Sequence, residues 1–147
     1  MELLTQSAEE TKRFGSKMAA DITSSKKAKT FALSGELGSG KTTFVQGLAQ
    51  GLGLKSRIIS PTFILVRSYN MPALSSFLYF YHIDLYRLED NIEGEVKSLG
   101  FEETVIDPSN IVAVEWAEKI KGIIPKEALW IKFESLGENT RRITYEL

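Results

Sequence analysis

Eight residues, Gly35-Glu36-Leu37-Gly38-Ser39-Gly40-Lys41-Thr42, constrain what this chain can fold into more than any other feature. They match G-x-x-x-x-G-K-[ST] at every specified position. Before them, Lys29-Thr30-Phe31-Ala32-Leu33-Ser34 reads as a short buried strand, and after them Phe44, Val45 and Leu48 fall at helical spacing. In a strand-to-helix turn of this kind, Gly35, Gly38 and Gly40 allow backbone angles and close approach, so that successive N–H groups point inward at phosphate oxygens. The positive end of the following helix adds to that attraction. Gly38, Ser39, Gly40, Lys41, Thr42 and Thr43 form the expected nucleotide-binding set. Lys41, expected to face solvent, would neutralise the β and γ phosphates, and Thr42 offers a hydroxyl to Mg²⁺. A glycine-rich turn before an ordinary helix is the bland alternative, and agreement across eight positions and both flanking elements weighs against it.

The other elements follow from periodicity. Ser7 and Glu10 have capping-box spacing ahead of Phe14, Met18 and Ile22, which predicts an amphipathic first helix, with the basic cluster Lys26, Lys27 and Lys29 as its solvated end. Short strands are predicted at Ile58-Ile59, at Phe63 to Val66 and at Phe77 to Ile83, and a helix from Asn91 to Leu99 stopped by Gly100. The unbroken apolar run Ile111 to Val114 marks a central strand buried on both faces. Ala128 to Ser135 and Arg142 to Leu147 alternate around Gly137-Glu138-Asn139, which predicts a terminal antiparallel hairpin. The expected fold class is α/β: one P-loop NTPase domain over residues 1–147, with a central mixed, mostly parallel sheet flanked by helices and ending in the hairpin.

Hydrolysis needs more than a phosphate cradle: a carboxylate near the metal and a group that orients water. Glu115 follows the Ile111 to Val114 strand and Asp84 follows Phe80-Tyr81-His82-Ile83, so both emerge at strand ends, where ligands of open α/β sheets bind. Spacing alone leaves open which acid serves the metal and which the nucleophile. His82, the single histidine, lies two residues before Asp84 and is expected to make a structural hydrogen bond. Ser60-Pro61-Thr62-Phe63 reads equally as a proline turn entering a strand and as a segment sensing the γ-phosphate. Tyr86 and Arg87 could contact phosphate or a partner, Trp116 is core or an interface anchor, and Arg141 and Arg142 near the terminal strand could flank the nucleotide, although no mechanism selects them. With 18 basic and 19 acidic side chains the formal charge is -1, too little to pull nucleic acid or anionic lipid. The chain has no cysteine and a polar start, and no apolar run approaches a membrane span, so the expected location is the cytoplasm.

Taken in order, Gly35 to Thr43, Ser60-Pro61-Thr62-Phe63, His82-Ile83-Asp84-Leu85-Tyr86-Arg87-Leu88 and Val114-Glu115-Trp116 closely resemble the TsaE (YjeE) family, small bacterial ATPases required for threonylcarbamoyladenosine in tRNA. The resemblance implies that Lys41 contacts phosphate, that Thr42 and Glu115 ligate magnesium, that Asp84 assists hydrolysis, and that Ser60 and Thr62 sit in a switch-like segment. It implies ATP and Mg²⁺ as cofactors, TsaD and TsaB as partners, and tRNA contact only indirectly through their complex. Two departures are visible: Ala117 stands where a proline commonly follows the glutamate-tryptophan pair, and Asn70 to Ser76 makes a longer hairpin connection.

Three other functions use the same loop. A small-molecule or nucleoside kinase needs an acceptor pocket and usually an arginine-rich lid, and no arginine cluster is present. A regulatory GTPase would carry an Asn-Lys-x-Asp type of segment, which this chain lacks. A nucleotide-gated assembly module, in which binding matters and turnover is incidental, overlaps with the favoured reading.

Overall fold

The structure is a computed structural model that describes residues 1–24, 29–59 and 65–147. Seven strands form one sheet: β1 (Glu2–Thr5), β2 (Thr30–Ser34), β3 (Val66–Asn70), β4 (Tyr79–Asp84), β5 (Asn110–Glu115), β6 (Leu129–Ser135) and β7 (Arg141–Tyr145). Their order is β1-β7-β6-β2-β5-β4-β3. The middle four, β6, β2, β5 and β4, run parallel, whereas β7, β1 and β3 are antiparallel additions at the two sides. The mixed sheet and terminal hairpin therefore match the sequence expectation. Every residue of β5 is buried, as the unbroken apolar run requires of a strand covered on both faces.

Helices α1 (Ala8–Ser24) and α2 (Lys41–Gly51) cover one face, and α3 (Ile92–Ser98), α4 (Phe101–Ile106) and the 3-10 turns Ala117–Ile123 cover the other. Strand alternation divides the core accordingly. Phe31, Leu33, Phe80, Ile111 and Ala113 face Phe14, Met18, Phe44 and Leu48, while Ala32, Ile83, Val112 and Val114 face Val96, Phe101 and Ile120. Between α1 and α2 the backbones touch, because a Cβ at Gly47 would run into the Lys12 carbonyl. At the start of α1 the Ser7 hydroxyl accepts the Glu10 N–H at 3.2 Å, and the Glu10 carboxylate accepts the Gln6 N–H at 2.6 Å, one residue earlier than the usual box.

Several expectations are corrected. Ile58 and Ile59 are not in a strand: Ile58 is buried in a loop, its carbonyl accepting from Gln46 Nε2 at 3.2 Å. The third strand begins at Val66 and runs to Asn70, later than predicted, and Phe63 lies outside the described residues, as do Lys26 and Lys27. Lys29 is no solvated helix end, since its ammonium donates to the Pro108 carbonyl at 2.8 Å and lies 5.4 Å from the Phe77 ring centre. The long hairpin connection is present between β3 and β4, closed by Met71 N–H to Leu78 carbonyl at 2.9 Å. Among the described residues, no helix is long and apolar enough to cross a membrane.

Parallel register positions the site. Leu33 and Asp84 both pair with Glu115, so the loop after β2 and the acids ending β4 and β5 reach the same sheet edge. β6 is also parallel to β2, which brings the β6–β7 turn to that edge.

Candidate active site

The loop between β2 and α2 depends on glycine at two points. Gly35 has φ 139°, and a side chain there would strike the Phe133 carbonyl. Gly40 takes φ 105° at the cap of α2, a left-handed conformation that other residues rarely adopt. The loop folds over its own lysine: Lys41 Nζ donates to the Gly35 carbonyl at 2.6 Å, the Glu36 carbonyl at 2.8 Å and the Ser39 hydroxyl at 3.3 Å. Lys41 is thus buried at 4% exposure, which corrects the expectation of a solvent-facing side chain. Burial pushes its pKa below the ordinary 10.5, against the opposing pull of Glu115, Glu118, Asp84 and Glu36.

A stability prediction follows from that shift. Between the lowered folded value and 10.5 the unfolded chain holds more protons at Lys41, so the cost of keeping this side chain protonated in the fold is full below the folded value and is relieved as pH rises through it. Denaturant unfolding across the alkaline range should show the wild type gaining stability relative to Lys41→Met. Parallel curves for the two proteins would contradict it.

At the neighbouring strand ends, Thr42 Oγ1 donates to both oxygens of Glu115, at 2.8 and 3.0 Å. Glu115 is buried at the end of β5. His82, fully buried, meets Glu115 Oε2 through Nε2 at 2.5 Å, so the expected structural hydrogen bond is present and it is made to the site's own carboxylate. With Glu115 ionised, Nε2 carries the proton and donates. His82 Nδ1 is buried with no hydrogen-bond partner among the described residues. Asp84 is half-buried, its Oδ1 accepting the Tyr86 N–H at 3.0 Å.

Trp116 takes a left-handed conformation, φ 61°, and turns its ring over Lys41, whose ammonium lies 4.3 Å from the ring centre. Tyr86 lies against the other aromatic at 5.3 Å between centres, so Tyr86 and Trp116 form one aromatic pair at the mouth, with exposed Arg87 beside them. Ala117, the departure from the common proline, is fully buried and opens the 3-10 turns. Ser60 and Thr62, the switch-like residues, lie outside the described residues.

Together these groups line a cavity of about 410 Å³ that contains Gly38, Ser39, Gly40, Lys41, Thr42, Thr43, Asp84, Glu115 and Trp116. The cavity is also lined by Ser7, Ala8 and Thr11 at the start of α1 and by Glu138, Asn139 and Arg141 from the β6–β7 turn, with Thr11 and Arg141 beside Gly40; of these, the sequence suggests only Arg141 beside the nucleotide. Arg141 braces that turn, donating from Nη1 to the Gly137 and Thr140 carbonyls at 2.9 Å each. Arg142 faces elsewhere, 3.8 Å from Glu2 and 3.9 Å from Glu134. A parallel β2–β6 pairing would have pointed to this wall, because it sends the hairpin turn to the glycine-loop edge.

Comparison with known proteins agrees with this assembly. The family described as threonylcarbamoyl adenosine biosynthesis protein TsaE matches residues 5–143. A tRNA threonylcarbamoyladenosine biosynthesis protein TsaE from Bacillus subtilis is 38% identical over 141 residues, covering 96% of this chain and 82% of the relative. One of the same name from Treponema pallidum is 33% identical and covers 98% of both chains. The crystal structure of Bacillus subtilis YdiB superposes with a TM-score of 0.71 at 30% identity, over 99% of this chain and 83% of that one. With the match running from β1 into β7 and two relatives this similar along their length, the chain belongs to the TsaE family of threonylcarbamoyladenosine biosynthesis proteins.

Proposed function

We propose that this chain is a magnesium-dependent P-loop ATPase, one domain over residues 1–147, that works in the cytoplasm with TsaD and TsaB to form threonylcarbamoyladenosine beside the anticodon of tRNA. The observation that carries the reading is the contact between Thr42 and Glu115, 73 residues apart, beside a glycine loop that encloses a lysine. The donor set suits Mg²⁺: a hydroxyl and a carboxylate, both hard oxygens, already share one place. Magnesium, when bound, supplies positive charge to the β- and γ-phosphate oxygens, and Thr42 and Glu115 would hold it.

The chain's own residues do the rest. Loop N–H groups bind the phosphates, and Lys41, whose three N–H bonds are all engaged within the loop, exchanges one for a phosphate oxygen. Asp84 orients the attacking water, His82 fixes the Glu115 carboxylate, and the Tyr86–Trp116 pair shields the lysine from solvent. The wall formed by α1 and the β6–β7 turn leaves room for ribose and base. Group transfer to tRNA belongs to the partners, in keeping with a net charge of -1, and Tyr86 and Arg87 offer them an exposed contact at the mouth.

Thr42→Ala tests the reading, because it removes the hydroxyl and leaves the phosphate-binding backbone in place. The magnesium concentration for half-maximal turnover should rise by about tenfold or more. A magnesium titration indistinguishable from wild type would contradict the role.

A further inference from the structure

Three backbone carbonyls converge on one ammonium beside the site. Lys119 Nζ donates to Leu85 at 3.1 Å, Tyr86 at 2.9 Å and Leu88 at 2.9 Å, which uses all three of its N–H bonds. The acceptors lie 31 to 34 residues away in sequence and immediately follow Asp84; the lysine itself follows Glu115 by four residues. Leu85 is fully buried and its N–H reaches the Glu115 carbonyl at 3.3 Å, so the two strand-end loops are already in contact at their roots. Lys119 closes the contact further out. Its ammonium also lies 5.4 Å from the centre of the Trp116 ring, which Lys41 approaches at 4.3 Å.

We propose that Lys119 is a positioning residue for hydrolysis: it ties the Leu85–Leu88 loop to the loop after β5 and so fixes Asp84 relative to Glu115. The inference rests on the ATPase reading above. A surface lysine bound to one carbonyl would carry no such conclusion, since long exposed side chains gain little from single contacts. Three convergent carbonyls are different, because the ammonium holds them together and without it the part-buried Leu85 and Leu88 acceptors lose their donor, which loosens the loop. The same loop holds the Tyr86 N–H that orients Asp84, so its loosening misdirects the acid without touching the glycine loop.

Lys119→Met keeps the stem and removes the donors. Turnover should fall between about 10- and 100-fold from misplacement of the acid. The KM for ATP should change by less than about threefold, because phosphate binding is untouched. Hydrogen exchange should accelerate at the Leu88 amide, which donates to Leu85 at 3.1 Å, and stay unchanged in β5. Lys119→Arg, which retains charge and several donors, should recover most of the rate; should Lys119→Met fold poorly, Lys119→Leu, which also lacks donors, supplies the same comparison. In an Asp84→Asn background, adding Lys119→Met should cost little more, since the lysine acts through that acid. Additive losses in the double variant, or faster exchange spread evenly over the sheet, would overturn the proposal. A wild type that releases no phosphate would sink the ATPase reading instead, and the exchange at Leu88 would still decide whether Lys119 fixes the loop.

Discussion

Lys41→Ala is expected to abolish ATP turnover, lowering kcat by at least about 100- to 1,000-fold, the loss typical of a preorganised charge donor removed from a developing anion. The buried position of this lysine adds a second, smaller effect. Its ammonium is the donor to the Gly35 and Glu36 carbonyls, and the loop curves around it. Leaving a buried carbonyl unpaired costs about 1–3 kcal/mol. Glu36 is exposed and its carbonyl can take water in exchange, so the stability cost falls toward the low end. At this chain length about 1 kcal/mol moves Tm by roughly 2–4 °C. Phosphate release and thermal unfolding measured on the same preparation should therefore show a folded, slightly less stable and inactive protein. Full activity in this variant would remove the glycine loop from the account.

Glu115→Gln and Asp84→Asn should both slow hydrolysis, and for different reasons. In Glu115→Gln the amide oxygen can still accept from His82 while the amide nitrogen donates to the Thr42 hydroxyl, so the hydrogen-bonded chain survives with one bond reversed. On the proposed role, what is lost is negative charge opposite magnesium. The magnesium requirement should rise about 10- to 100-fold. Asp84→Asn keeps an oxygen for the Tyr86 N–H and so preserves the loop, but removes the carboxylate proposed to orient water. Turnover should fall about 100-fold or more with the magnesium requirement unchanged. Rate against magnesium concentration for the two variants separates the roles; a shifted requirement in Asp84→Asn alone would exchange them.

The parts of the fold that are local in origin were readable in the residues. The glycine loop carries its own geometry in Gly35 and Gly40, β5 announces itself by an apolar run, and the β6–β7 hairpin by alternation around a polar turn. Elements that depend on neighbours were not. β1 buries only one of its four residues fully, so no apolar pattern marks it. α4 is six residues long with one buried side chain, and Gly100, which ends α3, is also the cap of α4. The chemistry divides in the same way. Asp84 and Glu115 were identifiable as strand-end acids, but their closeness comes from the β4–β5 register, and the burial of Lys41 and Glu115 comes from packing across the sheet edge. Lys119 gave no signal at all, because its partners are backbone carbonyls that any sequence would supply.

Phosphate release from ATP by the full chain, with TsaD and TsaB present and no small-molecule acceptor added, tests the central claim most directly. The account predicts release that requires magnesium, rises when the partners are added and disappears in Lys41→Ala. Release that appears only when a hydroxyl acceptor is supplied, with the phosphate transferred to it, would make the protein a kinase and contradict the account.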